Sequence, residues 1–89
     1  MLMKVDEILV EPEIQEKILW KHRVGREELE NALLEGNPKV IGRKDNRYKV
    51  VTHHTRYITV IFDYEKHNIA IVKTAYPSDD SQIRRYKKK

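Results

Sequence analysis

The chain has 89 residues, of which 39% are apolar and 36% are charged, and its formal net charge at pH 7 is +4. This length suits one small domain spanning residues 1–89, and the stretch of about twenty apolar residues that a membrane-spanning helix needs is missing. The absence of cysteine excludes disulfides, thiolate zinc sites and a cysteine nucleophile. Because the first residues do not read as a secretory signal, the sequence predicts a cytoplasmic protein with no membrane partner.

The charges are unevenly distributed along the chain. Residues 1–38 hold five Lys or Arg against nine Asp or Glu, a net charge of −4, whereas residues 39–89 hold thirteen against five, a net charge of +8. A basic surface of this kind suits the phosphates of a nucleic acid, and it also suits an acidic protein partner.

Two helices are predicted in the first half of the chain. They follow residues 5–10, which suit either a short strand or a loop. Pro12 favours the first turn of a helix over residues 11–21, and after a break the helical period resumes over residues 26–35. Gly36 suits the position that follows a helix C-terminus.

From residue 39 onward the pattern alternates with the period of strands. The predicted strands span residues 39–43, 47–52, 57–63 and 69–76. Ser78 is a suitable N-cap for a helix over residues 79–86. The sequence therefore predicts an α+β fold, with two N-terminal helices packed on a four-stranded antiparallel sheet and a short C-terminal helix.

The motifs of common catalytic and metal sites are absent from the sequence. Its three glycines are too widely spaced for a phosphate-binding loop, and there is no H-E-x-x-H metal motif. His53 and His54 are neighbours, and on an extended chain neighbours point to opposite faces, so they make poor ligands for one ion. No metal site and no cofactor are predicted.

Basic and aromatic residues on the strands and at the ends of elements suit RNA cleavage without a metal. This reaction needs a base for the 2′-hydroxyl, cations for the phosphate and an acid for the leaving oxygen. The predicted catalytic residues are His22 and Tyr76, either of which could act in proton transfer, with Arg56 and Arg85 for the phosphate. The predicted RNA-binding residues include the basic side chains around them: Lys21, Arg23, Arg47, Lys49 and Arg84.

Each of these residues also has a structural interpretation. His22 could interact with the carbonyl groups at a helix C-terminus, and Arg56 could be a solvated charge at a strand edge. Tyr76 could be a packing residue at a strand end, and the basic C-terminal run could be a solvated tail.

Three segments together resemble a known family. Residues 21–33 read K-H-x-V-x-x-E-E-L followed by A-L, residues 55–62 read T-R-Y-I-x-V-I-F, and residues 71–86 contain I-V-K-T-A followed by I-R-R-Y. In order and spacing these segments resemble the BrnT-like toxins of type II toxin–antitoxin systems, within the wider RelE-like ribonuclease group. The resemblance covers residues from about 17 to 86.

The resemblance implies a RelE-like fold and an endoribonuclease that cleaves mRNA to inhibit translation, without a cofactor. It also implies a co-encoded antitoxin, often with a ribbon-helix-helix DNA-binding domain. The matching positions are His22, Glu27 or Glu28, Arg56, and Arg84 to Tyr86, and the resemblance adds Thr74 and Tyr86 to the predicted RNA-binding residues.

One position departs from the family pattern. Many BrnT-like chains have an arginine directly after the T-A pair, where this chain has Tyr76. The change removes a candidate phosphate-binding cation. The segment Thr74-Ala75-Tyr76-Pro77 is instead similar to the T-x-Y-P ending of other RelE-like ribonucleases, in which the threonine and tyrosine lie near the active site.

Two other hypotheses remain open from the sequence. The chain could be a non-catalytic RNA- or protein-binding module that retains the fold without the chemistry. Alternatively, its acidic N-terminal half and basic C-terminal half could bind a protein partner or a second copy of the chain, forming a homodimer.

Overall fold

The described part of the chain, residues 3–88 of this computed structural model, forms one sheet with helices on both of its faces. In chain order the elements are β1 (Glu7–Leu9), α1 (Pro12–His22), α2 (Arg26–Leu34), β2 (Lys39–Lys44), β3 (Arg47–His53), β4 (Tyr57–Glu65), β5 (Ile69–Pro77) and α3 (Asp80–Lys87). No helix within residues 3–88 is long and apolar enough to cross a membrane.

The sheet has five strands in the order β1-β5-β4-β3-β2. Strands β2 to β5 pair antiparallel, whereas β1 pairs parallel with β5, with Glu7 opposite Ile69 and Leu9 opposite Ile71. The predicted α+β class is confirmed, but the prediction of a four-stranded, purely antiparallel sheet is wrong. A three-residue strand is too short to have a readable period, and its partner lies about sixty residues away.

One face of the sheet, here the back face, carries the hydrophobic core. Val60 of β4 lies opposite Val50 of β3 and Ala75 of β5, and all three are fully buried. Ile18 of α1 and Leu29 of α2 belong to the same core cluster. The two N-terminal helices therefore pack on the back face, as the sequence predicts.

The opposite face, here the front face, is partly covered by α3. Thr59, the neighbour of Val60, lies between Val51 and Tyr76 on this face, and its hydroxyl group donates a hydrogen bond to Gln82 of α3 over 2.9 Å. The N-cap of α3 is Asp79 and not Ser78 as predicted. The Asp79 carboxylate accepts from the Gln82 N–H, and the Gln82 side chain accepts from the Asp79 N–H, which makes a reciprocal capping box.

Helix α1 runs beside β5, and this arrangement determines where α1 ends. After β1 pairs with Ile71, only two residues precede α1, so the helix continues along β5. Its 11 residues span about 16 Å, which is also about the length of β5 from Ile71 to Tyr76. The C-terminus of α1 therefore reaches the C-terminal end of β5.

Candidate active site

A cleft of about 230 Å³ lies between the C-terminal half of α1 and β5. From α1 it is lined by Lys17, Lys21 and His22, and from β5 by Lys73 and Thr74. Thr74 pairs with Ile61 and Val72 with Phe62, so Lys73 is an extra, unpaired residue in a β-bulge. A bulge redirects the side chains at its position, and here Lys73 and Thr74 both line the cleft.

His22, which lines this cleft, is in contact with Tyr76 near the C-terminal end of β5. Helix α1 ends at His22 because Arg23 adopts a left-handed conformation, with φ of 57°, and donates its N–H to the Leu19 carbonyl. The ring centroids of His22 and Tyr76 are 5.8 Å apart, within the range of packed aromatic pairs. The two residues predicted for proton transfer, 54 positions apart in sequence, are therefore neighbours.

The Tyr76 hydroxyl group is oriented by a partly buried hydrogen-bond network. The carbonyl oxygen of the Gln82 side chain accepts from the Asp79 N–H and the Thr59 hydroxyl, which directs its amide NH₂ toward Tyr76. That amide donates to the Tyr76 oxygen over 3.2 Å. Ser78 lies 2.7 Å from the Thr59 oxygen and supplies the proton of that contact. Because Tyr76 accepts from Gln82, its own proton is available to a ligand.

Sequence reasoning did not identify Gln82, Thr59 or Lys73 as site residues. For Gln82 a signal was present, because Asp79-x-x-Gln82 has the spacing of a capping box. No local signal distinguishes the buried Thr59 from other strand residues, or predicts that the chain bulges at Lys73.

Asp63 binds two of the cations on the front face. Arg47 donates to both of its carboxylate oxygens, over 2.7 and 3.2 Å, and the Lys73 ammonium group is 3.9 Å away. The Arg47 hydrogen bond, followed by the charges of Arg47 and Lys73, lowers the pKa of Asp63. Arg47, predicted to bind RNA, is thus paired with a carboxylate. Lys49 lies on the same face in one row with Ile61 and Thr74, about 10 Å from Thr74 across two strand spacings.

Replacing Asp63 with asparagine is expected to strengthen binding of single-stranded RNA. The change removes one negative charge and frees Arg47 and Lys73 for phosphates. Each added phosphate contact steepens the dependence of log K on log salt by about 0.7 for single strands. Fluorescence anisotropy of a labelled RNA across a salt series measures this slope. An unchanged slope would contradict the expectation that Arg47 and Lys73 contact RNA in this variant.

The same variant has a defined pH signature. A carboxylate whose pKa is lower in the folded than in the unfolded state stabilises the fold above its unfolded pKa, and this stability is lost as the pH falls through the folded value. Asp63→Asn is therefore expected to have a lower free energy of unfolding than wild type near neutral pH. This difference between the two proteins is expected to become smaller below about pH 4. Urea unfolding of both proteins at neutral and acidic pH compares these values.

Arg56 lies at the start of β4 and binds the turn between α1 and α2. Its guanidinium group donates to both oxygens of Glu28, over 2.7 and 3.0 Å, and to the Arg23 carbonyl over 2.8 Å. The hydrogen bond to Glu28 raises the pKa of Arg56. These contacts occupy the guanidinium group of Arg56, which was predicted to bind a phosphate. They fix the Arg23 turn, and hence the end of α1 that carries His22.

The predicted residues of α3 have separate environments. Arg85 donates to the Ile41 carbonyl of β2, which brings it to the front face near the sheet edge. Arg84 is exposed on the helix. The Tyr86 hydroxyl donates to the Asn37 carbonyl over 2.9 Å, its ring contacts Tyr57, and burial raises its pKa. Tyr86 thus anchors α3 to the sheet.

The structure brings together part of the predicted set. His22, Lys21 and Thr74 line the cleft, Tyr76 contacts His22, and Lys49 lies on the same side of the sheet as Thr74. The remaining predicted residues are not part of the cleft lining; they are Arg23, Arg47, Arg56, Arg84, Arg85 and Tyr86. Within residues 3–88 no group of three or more His, Asp or Glu side chains is placed to hold a metal ion.

The chain matches no known protein family, and no curated protein or solved structure is significantly similar to it.

Proposed function

We propose that the protein is an endoribonuclease that cleaves single-stranded RNA at the cleft between α1 and β5 without a metal ion. The observation that carries this proposal is the contact between His22 and Tyr76, with ring centroids 5.8 Å apart, at the end of a cleft lined by three lysines. The combination supplies a base, a hydroxyl donor and cations for a phosphate. These are the groups that attack by a 2′-hydroxyl requires.

In the proposed reaction His22 accepts the proton of the ribose 2′-hydroxyl, whose oxygen then attacks the adjacent phosphorus atom. Lys21 and Lys73, on opposite walls of the cleft, stabilise the charge that develops on the phosphate oxygens. The bond from phosphorus to the 5′-oxygen breaks, and Tyr76 protonates that oxygen. The products are a 2′,3′-cyclic phosphate and a 5′-hydroxyl.

Arg56 has a positioning role in this proposal. Its contacts with Glu28 and the Arg23 carbonyl hold the end of α1, and with it the ring of His22. The phosphate is assigned to lysines of the cleft because Arg47 and Arg56 each make two hydrogen bonds to a carboxylate, whereas the Lys73 ammonium group is 3.9 Å from Asp63. The absence of the family arginine at position 76 is compatible with this assignment, since Lys73 supplies a cation from the same strand.

Cleavage of a labelled single-stranded RNA in excess EDTA tests the proposal. Wild type is expected to cleave, and Tyr76→Phe, which removes only the hydroxyl group, is expected to be at least about tenfold slower. Tyr57→Phe is the matched control, because Tyr57 lies on β4 and its ring contacts His53 and Tyr86, whereas the ring of Tyr76 contacts His22. Equal loss in both variants, or no effect of Tyr76→Phe, would contradict the role of the Tyr76 hydroxyl.

A non-catalytic RNA-binding module is the second candidate function. It is favoured by the pairing of Arg47 with Asp63 and of Arg56 with Glu28, which occupies two of the guanidinium groups predicted to contact RNA. Salt-sensitive RNA binding without cleavage, either alone or with ribosomes present, would select this candidate.

The sequence resemblance extends the first proposal to a cytoplasmic toxin that cleaves mRNA and is neutralised by a co-encoded antitoxin. Induced expression in a bacterial host is expected to stop growth with wild type and not with a cleft variant produced at the same level. Growth arrest by both proteins would mean that the toxicity does not depend on the cleft.

A further inference from the structure

The most exposed large apolar side chain among the described residues is that of Trp20, on the outer side of α1. It is 72% exposed, whereas Ile18 of the same helix is 2% exposed. A ring this exposed buries little apolar surface within the fold, and large exposed aromatic side chains are enriched where proteins bind other molecules.

The surroundings of Trp20 connect it to the cleft. A second, shallower depression is lined by Trp20, Glu13, Glu16, Lys17 and Lys21. Lys17 and Lys21 also line the cleft between α1 and β5. The two depressions therefore share the side chains of two lysines. A single-stranded RNA whose phosphates contact these lysines would pass from the cleft to the indole ring.

The distance between the two depressions suits a neighbouring nucleotide. Successive residues are about 100° apart around a helix, so Lys17 is about 60° and Lys21 about 100° from Trp20 on the same side. An arc of about 100° is slightly less than a third of the circumference of a helix about 10–12 Å across. Measured around the helix, Trp20 and Lys21 are therefore separated by a distance on the order of 10 Å. The indole ring therefore lies beside the cleft and not in its lining, where a nucleotide that flanks the cleaved pair would pass.

We infer that Trp20 is a stacking subsite for one base of single-stranded RNA that flanks the cleavage position, and that Glu13 and Glu16 favour a base with an exocyclic amine. Single-stranded RNA is recognised by stacking of unpaired bases on aromatic rings and by hydrogen bonds to the base edges. Carboxylates accept hydrogen bonds from amines such as N4 of cytosine, which uracil lacks. The inference rests on the proposed function for its substrate class.

The chain offers a direct probe, because Trp20 is its only tryptophan. Hexacytidylate with 2′-O-methyl groups cannot be cleaved by 2′-hydroxyl attack, so its binding is measured independently of catalysis. We expect this oligonucleotide to quench the tryptophan fluorescence of wild type, and to bind about fivefold or more tightly than the matching hexauridylate.

Variants separate stacking from other roles of the helix. By anisotropy of labelled 2′-O-methyl hexacytidylate, Trp20→Ala is expected to bind between about fivefold and a hundredfold more weakly, and Trp20→Phe to retain most of the affinity. Leu19→Ala is the matched control, because Leu19 is also exposed, at 48%, but does not line the depression. It is expected to bind like wild type.

Three results would overturn the inference. The first is unchanged RNA affinity in Trp20→Ala together with no quenching in wild type. The second is equal affinity for the two hexanucleotides, which would remove the role of the glutamates. The third is a shift from dimer to monomer in sedimentation of Trp20→Ala without a change in RNA binding, which would make Trp20 a contact between copies. Quenching without any cleavage of unmodified RNA would instead overturn the catalytic proposal and leave the subsite in place.

Discussion

Replacement of His22 with alanine is expected to slow RNA cleavage by at least about a hundredfold, the lower end of the loss seen when a general acid or base is removed. The side chain is half-buried at the end of α1, where its ring contacts Tyr76, so it contributes little to the core. Single-turnover cleavage of a labelled RNA in EDTA measures the loss. Circular dichroism and RNA affinity are expected to stay close to wild type.

His67 provides the matched control for this variant. It lies exposed in the turn between β4 and β5, at the opposite end of β5 from Tyr76. Its φ of 67° is left-handed, a conformation that asparagine tolerates, so His67→Asn keeps the turn. Normal cleavage by His67→Asn and strong loss in His22→Ala support the assignment, whereas normal cleavage by both variants would remove His22 from the mechanism.

Replacement of Gly36 with alanine is expected to lower the free energy of unfolding by about 3 kcal/mol. An added Cβ would lie 2.5 Å from the Thr52 hydroxyl oxygen and 2.8 Å from the His53 carbonyl oxygen, and it would also collide with the Ala32 carbonyl. The Thr52 hydroxyl donates to that same carbonyl and joins β3 to α2. Relief of the collision requires the backbone to move and the buried hydrogen bond to weaken.

Urea unfolding with Gly42→Ala as the control measures this effect. An added Cβ at Gly42 meets the Lys49 Cβ at 3.6 Å, an ordinary contact, so this variant is expected to change stability by well under 1 kcal/mol. The expected loss in Gly36→Ala is a large fraction of the 5–15 kcal/mol that typically stabilises a small domain. Equal midpoints for the two variants would contradict the close approach at Gly36.

Local sequence signals identified most elements because each has a clear period or terminator. The four antiparallel strands and three helices fall within a few residues of their predicted bounds. Gly36 was placed correctly at the end of α2, but the reason differs. None of the described glycines has a positive φ, so Gly36 is required for close approach and not for a left-handed turn.

Long-range arrangements were not predictable in the same way. The pairing of β1 with β5 joins the two ends of the chain, and it directs α1 along β5 until His22 reaches Tyr76. Residue types suggested both side chains for proton transfer, but nothing local indicates that they meet. Likewise, the guanidinium group of arginine suits phosphate oxygens, which suggested Arg56 for phosphate binding. Only the fold reveals that this guanidinium group is hydrogen-bonded to Glu28.

The chemistry of the cleavage products tests the central claim most directly. In excess EDTA, wild type is expected to leave a 2′,3′-cyclic phosphate on the upstream fragment, identified by mass spectrometry. A single 2′-deoxy substitution on the upstream side of the scissile bond is expected to abolish cleavage there, because it removes the attacking hydroxyl group. Fragments that end in a 3′-hydroxyl and a 5′-phosphate, or cleavage that EDTA abolishes and magnesium restores, would contradict metal-free attack by the 2′-hydroxyl at the His22–Tyr76 cleft.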